Sequence, residues 1–218
     1  MKIGLLGTGM VAETLATKLT ALGHPTLVGA RTADSDSLVP FKGMPGVETG
    51  SFADAARFGE LLINATSGLH SVAALELAVA DQLGGKPLLD VANELDTSVS
   101  PPSLAGPNNS LAMKIQNRFP NLRVVKSLNT MNCHVMVEPS LAGLEHVAFL
   151  SGDDAAAKNT VRALLNEFGW RDDQILDLGG IDSAASAEML MHIWLRIFMA
   201  RGGPGTPPFN FAISSADS

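Results

Sequence analysis

The sequence has 218 residues, of which 46% are hydrophobic and 17% charged, and it carries a formal net charge of −7 at pH 7. This composition excludes general disorder and supplies enough apolar side chains for a sheet that is covered on both faces. The acidic balance, with no clustered basic face, argues against nucleic-acid binding.

Cysteine content and the longest apolar stretch bear on the compartment. The one cysteine, Cys133, excludes an intrachain disulfide framework and a multi-cysteine metal site, which fits a reducing cytoplasm. The N-terminus shows no export signal, and the most apolar long stretch, residues 189–200, is too short to span a bilayer. We therefore expect a cytoplasmic protein with no metal site and no membrane partner.

The N-terminal segment predicts a β-α-β unit. Residues 2–6 form an apolar strand that ends at Gly7, residues 10–22 have helical spacing until Gly23, and residues 26–30 form the next strand. A unit of about thirty residues has the size of a crossover between parallel neighbouring strands.

The alternation of strands and helices continues along the chain, with Ser51 and Ser110 as expected N-caps and a loop at residues 105–109. Further strands are predicted near residue 47 and at residues 61–65, 87–91, 123–128, 147–151 and 174–178, and further helices at residues 52–58, 69–83, 110–119, 154–168 and 183–201. This pattern predicts a Rossmann-type α/β fold, in which a doubly wound, mainly parallel sheet carries a C-terminal helix and tail. We expect one domain at residues 1–180, and a helix and tail at residues 181–218 packed on that domain or on a subunit partner.

Residues 7–12 match the pattern G-x-G-x-x-G/A directly after the first strand. Gly7 permits a tight turn, Gly9 lets the backbone approach a pyrophosphate, and Ala12 allows close packing of the helix on the strand. The free N–H groups at the helix start would receive the negative charge. We therefore predict a dinucleotide site that includes Gly7, Thr8, Gly9, Met10 and Val11.

The end of the second strand distinguishes NAD from NADP. Where an NAD enzyme usually places Asp or Glu, this chain has Ala30 and Arg31. Arg31 offers a fixed cation, and the hydroxyls of Thr32 and Ser35 are further donors to a 2′-phosphate. The segment favours NADP(H), although nearby aspartates complicate the local charge. A solvated loop arginine is the alternative.

Small and polar residues follow the later strands, where the inner ribose and nicotinamide of a cofactor would pass. The candidates for the nicotinamide pocket are Thr66, His70, Asn129 and Thr130, with Ala65 and Met131 beside them. For Thr66 and His70 the alternative is an ordinary turn with a helix N-cap. For Asn129 and Thr130 the alternative is that strand-end residues tie loops together.

Two further groups of residues are interpreted structurally. Cys133 and His134 are adjacent, so they rarely point at each other, and Cys133 is interpreted as a structural residue. Glu188, His192 and Arg196 recur every four residues and form one polar stripe on the last helix. This stripe is either a solvated or ion-paired face, or a face toward the crevice or a subunit partner.

The order of these motifs resembles the family of NADPH-dependent reductases of the deazaflavin coenzyme F420, which is related to the cytosolic domain of membrane ferric reductases. The matching segments are residues 2–9, 28–31, 124–130 and 149–154, and the tail at residues 209–211 is similar to the family's C-terminal end. The resemblance implies that Thr8, Arg31, Thr32 and Ser35 hold the NADP phosphates, and that the nicotinamide is surrounded by Ala65, Thr66, His70, Asn129 and Thr130.

The resemblance further implies hydride transfer between NADPH and a flavin-like or deazaflavin-like acceptor, with coenzyme F420 or a flavin as the second substrate. A non-catalytic NADP(H)-binding redox sensor or regulatory module is the alternative. An imine or β-hydroxyacid dehydrogenase ranks last, because the segment after residue 180 is too short for a large helical substrate domain. The long apolar last helix favours a homodimer.

Overall fold

A central sheet with helices on both faces forms the structure, a computed structural model that describes residues 1–78, 83–96, 98, 103–104, 110–143 and 145–214. Short 3₁₀ helices at Asp36–Phe41, Pro139–Ala142, Asp172–Gln174 and Ile181–Ser183 connect some of the elements. In chain order the strands and α-helices are β1 (Ile3–Leu6), α1 (Met10–Ala21), β2 (Thr26–Ala30), β3 (Val47–Ser51), α2 (Phe52–Phe58), β4 (Leu61–Asn64), α3 (Gly68–Leu77), β5 (Pro87–Asp90), β6 (Leu95–Asp96), β7 (Ser103–Leu104), α4 (Leu111–Arg118), β8 (Arg123–Ser127), α5 (Cys133–Val137), β9 (Ala148–Ser151), α6 (Ala155–Phe168), β10 (Ile175–Gly179) and α7 (Ala184–Ala200).

The main sheet has eight strands in the order β10-β9-β8-β5-β4-β1-β2-β3. The six strands from β8 to β3 are parallel, and the order reverses at β1 and β4 as it does in a doubly wound fold. β9 pairs antiparallel with β8, and β10 runs parallel to β9. The predicted Rossmann-type, mainly parallel sheet is therefore confirmed. The two strands at one edge, β9 and β10, run opposite to the other six.

Helices cover both faces of the sheet. One core joins the sheet to α1, α5 and α6, and the other joins it to α2, α3, α4 and the first turn of α7. Because both faces are covered, β1, β2 and β4 are buried at every position, which explains why their sequences are apolar runs without alternation. Within the described ranges, no helix combines the length and the hydropathy that crossing a bilayer requires.

Most predicted boundaries agree with the structure to within two residues, because cap residues mark them. The hydroxyls of Ser51 and Ser110 accept the predicted capping bonds, and Gly169 ends α6 in the left-handed conformation. Helix α5 and the short β6–β7 pair are not predicted, because they are too brief to show periodicity. Helix α3 ends at Leu77, before the predicted residue 83, and both residues 79–82 of that predicted helix and the predicted loop at residues 105–109 lie outside the described residues.

The C-terminal segment packs on the same chain. Trp194 of α7 stacks between Phe198, at 5.2 Å, and Phe209, at 5.1 Å between ring centroids. The backbone N–H of Val147 donates to the carbonyl oxygen of Phe211 at 2.9 Å, so the tail lies against the loop that precedes β9. These contacts fix the tail as far as residue 211.

Replacing Ser51 by Ala is expected to lower the free energy of unfolding by about 1 kcal/mol, the usual value of an N-cap. Ser51 forms a capping box with Asp54, and the Ser51 hydroxyl, at 2.6 Å, holds the pKa of the Asp54 carboxyl below its usual value. A lowered carboxyl pKa stabilises the fold above the unfolded-state pKa, and this contribution is lost as pH falls through the folded-state pKa. Urea unfolding of both proteins should therefore show a difference near pH 7 that shrinks below about pH 4.

Candidate functional site

A glycine turn joins β1 to α1 and packs against the end of β4. Gly7 has a φ of 120°, and a Cβ built there would lie 2.5 Å from the carbonyl oxygen of Ala65. Its N–H donates to the carbonyl oxygen of Gly29 at 3.1 Å. Only glycine meets both the left-handed conformation and this close approach.

The glycine turn leads into the exposed start of α1. Gly9 is the N-cap residue in an ordinary extended conformation, and nothing lies within 4 Å of the position that its Cβ would take. The first helical hydrogen bond runs from the N–H of Glu13 to the carbonyl oxygen of Gly9, so the N–H groups of Met10 and Val11 precede the ladder. Open space in front of free N–H groups fits an anionic group such as a pyrophosphate.

Beside the glycine turn, a cavity of about 330 Å³ brings together the loops that follow β2 and β4. Its lining combines polar residues, among them Arg31 after β2, with apolar residues of α2 and α3. The lining residues are Thr8, Ala30, Arg31, Ser35, Ser37, Phe52, Thr66, His70, Ala73, Ala74 and Leu77. Six of them are predicted from the sequence, whereas Ser37 and the apolar residues of α2 and α3 are not.

Thr32 lies outside the lining of this cavity. Its hydroxyl bonds to Asp34 and is the main cause that lowers the pKa of the Asp34 carboxyl below its usual value. Neither Asp34 nor Asp36 lines the cavity, so the carboxylates that complicate the sequence pattern are not part of its wall. The hydroxyls of Ser35 and Ser37 are 2.9 Å apart.

Behind the cavity wall lies a chain of buried polar side chains. The Thr66 hydroxyl donates to Asn64 Oδ1 at 2.7 Å and lies 2.8 Å from the Ser71 hydroxyl. Asn64 Nδ2 donates to Asp90 Oδ1 at 2.8 Å, and both Asn64 and Asp90 are fully buried. The strand ends of β4 and β5 are therefore joined by hydrogen bonds beneath the surface.

The chain of polar groups continues into a buried charge cluster of Asp90, Lys126 and Glu188. Lys126 Nζ lies 2.9 Å from Asp90 Oδ2 and 3.2 Å from Glu188 Oε1, and it also donates to the carbonyl oxygen of Ala92. Burial raises the pKa of the Asp90 carboxyl despite this cation. Burial alone would lower the pKa of the Lys126 ammonium, but the two carboxylates outweigh burial and hold that pKa above its usual value. This cluster is not predicted from the sequence.

Asn129 and Thr130 lie beneath the crevice, and each is 1% exposed. Asn129 Nδ2 donates to Asn93 Oδ1 at 3.0 Å and to the carbonyl oxygen of Ala187 at 3.2 Å, so Asn129 ties two loops to α7. Its Oδ1 has no hydrogen-bond partner among the described residues. The preceding Leu128 has a φ of 61°, which costs about 1 kcal/mol for a residue with a Cβ.

The predicted nicotinamide-pocket residues therefore separate into two groups. Thr66 and His70 share the cavity with Arg31, whereas Asn129 and Thr130 are buried beyond the end of β8. Met131 is also buried, at 3% exposed. The contacts of Asn129 agree with the alternative, in which these strand-end residues tie loops together.

A second cavity, of about 570 Å³, lies between α1 and α5 and begins at Met10. Cys133 is buried at this contact, where it accepts a hydrogen bond from the Thr14 hydroxyl at 3.5 Å, in agreement with a structural role. His134 is exposed on the same short helix. The lining residues are Met10, Glu13, Thr14, Thr17, Lys18, Ala21, His134, Val137 and Glu138.

The predicted polar stripe on α7 divides in the structure. Glu188 is buried and charge-paired, whereas His192 and Arg196 are exposed. Of the expected solvated or ion-paired face, Glu188 is therefore the ion-paired part, and its helical position places it over the start of α4. Among the described residues, no three His, Cys, Asp or Glu side chains are placed to share a metal ion.

The sheet order and the glycine turn define a Rossmann-type α/β protein. The chain belongs to the family of NADP oxidoreductases of the coenzyme F420-dependent type, whose sequence pattern matches residues 2–94. It is 43% identical to a protein of Arthrobacter sp. FB24 whose crystal structure bears the name of a candidate F420-dependent NADP-reductase. That match has a TM-score of 0.90 and covers 99% of this chain and 100% of the other.

Two more distant similarities concern longer proteins. The chain is 28% identical over 190 residues to metalloreductase STEAP3 of Rattus norvegicus, and the match covers 87% of this chain but 36% of the relative's length. An imine reductase of Bacillus cereus shares the fold at a TM-score of 0.62 and 18% identity, over 91% of this chain and 60% of that one. The chain therefore spans about a third of the curated relative that it matches.

Proposed function

We propose that this chain binds NADP(H) along the carboxyl edge of its sheet and transfers a hydride between NADPH and a flat, flavin-like or deazaflavin-like acceptor. The observation that carries the proposal is the cavity that joins Arg31, Ser35 and Ser37 to the glycine turn. The NADPH nicotinamide supplies the hydride, and the chain supplies alignment and electrostatics.

The adenosine end of the cofactor would occupy the smaller cavity. Phe52, Ala73 and Leu77 would offer an apolar surface to the adenine, while the Arg31 guanidinium and the hydroxyls of Ser35 and Ser37 would bind the 2′-phosphate. Among the described residues no carboxylate lines this cavity, which disfavours the free ribose hydroxyls of NAD. His70 belongs to this adenosine end rather than to the nicotinamide.

The pyrophosphate would lie over the start of α1, against the N–H groups of residues 10 and 11. Thr66 and Ala65 then border the inner part of the cofactor, since Ala65 packs under Gly7. Asn129 and Thr130 support the nicotinamide end from beneath, through the loop that Asn93 and Asn129 hold together.

The acceptor would occupy the groove between α1 and α5. This groove begins at Met10, the first residue after the glycine turn, and its volume of about 570 Å³ lies within the range of ligand sites, about 300–1,000 Å³. The aliphatic parts of Met10, Thr14 and Val137 in its lining suit the face of a ring system. Because hydride passes directly between rings, the reaction requires no acid–base pair in this groove.

Replacing Arg31 by Ala is expected to weaken NADPH binding by about 10- to 100-fold, the usual value of charge-assisted hydrogen bonds to a phosphate. NADH lacks the 2′-phosphate, so its affinity should stay unchanged. A fluorescence titration of both nucleotides checks this expectation. Arg118, an exposed arginine paired with Glu76, provides the matched Arg118→Ala control. Equal losses for NADPH and NADH would show that Arg31 does not bind the 2′-phosphate.

A non-catalytic NADP(H) sensor is the second candidate. The observation that favours it is the complete burial of Asp90 and Lys126, which leaves these charges sealed away from both cavities. We expect the enzyme to oxidise NADPH in the presence of a flavin or deazaflavin, followed at the absorbance of reduced nicotinamide. NADPH binding without turnover on any flavin, deazaflavin or quinone would favour the sensor.

We propose in addition that the protein is a cytoplasmic homodimer that associates through the outer face of α7. Met189, Ile193 and Met199 expose 44%, 48% and 58% of their surfaces on this helix. Apolar side chains grouped in this way are typical of an interface. The molar mass from light scattering should be twice that of the chain, and a monomeric mass would contradict the dimer.

A further inference from the structure

The C-terminal helix contributes a carboxylate to the buried polar groups behind the cofactor cavity. Glu188 of α7 is 8% exposed, and every partner of its two oxygens is a donor. Oε1 accepts from the Ser110 hydroxyl at 3.0 Å and from the N–H of Ala112 at 3.1 Å, and Oε2 accepts from the N–H of Leu111 at 2.8 Å. Lys126 Nζ completes the set. An ionised carboxylate satisfies all four donors, and no other side chain can.

A continuous path of contacts leads from Glu188 to the cavity wall. Glu188 forms an ion pair with Lys126, Lys126 Nζ donates to Asp90 Oδ2, and Asp90 Oδ1 accepts from Asn64 Nδ2. This last bond fixes the orientation of the Asn64 amide, because only its NH₂ group can face a carboxylate. Asn64 Oδ1 therefore points at Thr66, where it accepts from the Thr66 hydroxyl and from the Thr66 N–H.

The path sets the polarity of the Thr66 hydroxyl. Since Asn64 Oδ1 can only accept, the Thr66 hydrogen points inward, and Ser71 must donate in its contact with Thr66 at 2.8 Å. Thr66 then presents a lone pair to the cavity that it lines. Such a lone pair pairs with a ligand hydroxyl or amino group, and it repels a ligand acceptor.

We propose that Glu188 is a positioning residue of the cofactor site, which acts through Lys126, Asp90 and Asn64 to fix the Thr66 hydroxyl as an acceptor for a ligand hydroxyl. The inference rests on the proposed NADP(H) function. The positioning role of Glu188 means that α7, which lies outside the β-α-β units, contributes to the cofactor site. Without Glu188, the Lys126 ammonium loses one of its two carboxylates and can shift away from Asp90 Oδ2, which weakens the bond that holds the Asn64 amide against Asp90 Oδ1.

A double-mutant cycle on NADPH affinity tests the proposal, with Glu188→Gln and the near-isosteric Thr66→Val as the single changes. We expect each single variant to weaken NADPH binding by about 5- to 20-fold and the double variant to be no weaker than the weaker single one. Independent, multiplying effects would overturn the proposal. Glu167→Gln is the matched control. Glu167 does not line the cavity, and its Oε2 lies 2.8 Å from His24 Nε2.

Hydrogen exchange of the unmodified chain provides a measurement that no folding defect can obscure. Because linkage is reciprocal, NADPH should slow amide exchange in residues 184–190 by at least about 5-fold relative to α6, which packs in the other core. Equal protection of α6 and α7 would contradict the proposal. If Arg31→Ala and Thr66→Val both leave NADPH affinity unchanged, the proposed function fails. If both weaken it and Glu188→Gln does not, only this inference fails.

Discussion

Replacing Lys126 by Met is expected to lower the free energy of unfolding by about 3–5 kcal/mol, which is a large part of the stability of a domain. Methionine keeps most of the side-chain volume, so the loss comes from charge. Asp90 and Glu188 remain buried and face each other without a cation. Urea unfolding followed by the fluorescence of Trp170 and Trp194 measures the change.

The expected loss depends on pH in a defined direction. Burial raises the pKa of the Asp90 carboxyl above its unfolded-state value, so the folded protein binds protons that the unfolded chain releases. Stability therefore falls as pH rises through the interval between these two values, and removal of Lys126 widens the interval. The defect of the Lys126→Met variant should be largest at neutral and alkaline pH and should shrink in acid.

Lys158 provides the matched control, because it pairs with Asp177 at 2.9 Å near the surface. Lys158→Met should cost less than about 1 kcal/mol, the usual value of a surface ion pair. A Lys126→Met variant as stable as this control would contradict the assignment of Lys126 to a buried charge cluster.

Replacing Gly9 by Asp is expected to abolish NADPH binding, by a factor of more than about 100, while the fold remains stable. The position accepts a side chain, because Gly9 has an ordinary φ of −83° and nothing lies within 4 Å of its Cβ. Aspartate is also a preferred N-cap, so the melting temperature should hold or rise. The new carboxylate occupies the place proposed for the pyrophosphate and repels it.

Gly84→Asp adds the same charge at the opposite edge of the sheet, before β5, where a Cβ also meets nothing within 4 Å. This control should bind NADPH normally. Retained binding in the Gly9→Asp variant would show that the start of α1 is not the pyrophosphate site.

Local signals explain why much of the fold and part of the site could be predicted from the sequence. Gly7, Gly9 and the apolar first strand fall within one short segment, and so do Ser51 and the helix that it caps. Arg31 and Ser35 follow the second strand directly, so the parallel topology brings them to the same edge as Thr66. Their grouping in one cavity follows from strand order alone.

The contacts of α7 could not be predicted, because they depend on how helices pack. Helical spacing places Glu188 on the same stripe as His192, but the position of α4 beneath the first turns of α7 buries only Glu188. Lys126 follows the apolar residues Val124 and Val125 in its strand, and its carboxylates come from positions 36 residues before and 62 residues after it. The apolar wall of the cavity, with Phe52 and Leu77, depends similarly on the faces that α2 and α3 turn to the sheet.

Calorimetric titration of the unmodified protein with NADPH and with NADH measures whether the carboxyl edge of the sheet binds NADP(H). We expect one NADPH site per chain with a dissociation constant in the micromolar range, and binding of NADH that is weaker by at least about 10-fold, since NADH cannot use Arg31 and the serine hydroxyls. Heat of binding for neither nucleotide, or equal affinity for both, would contradict the proposed NADP(H) site.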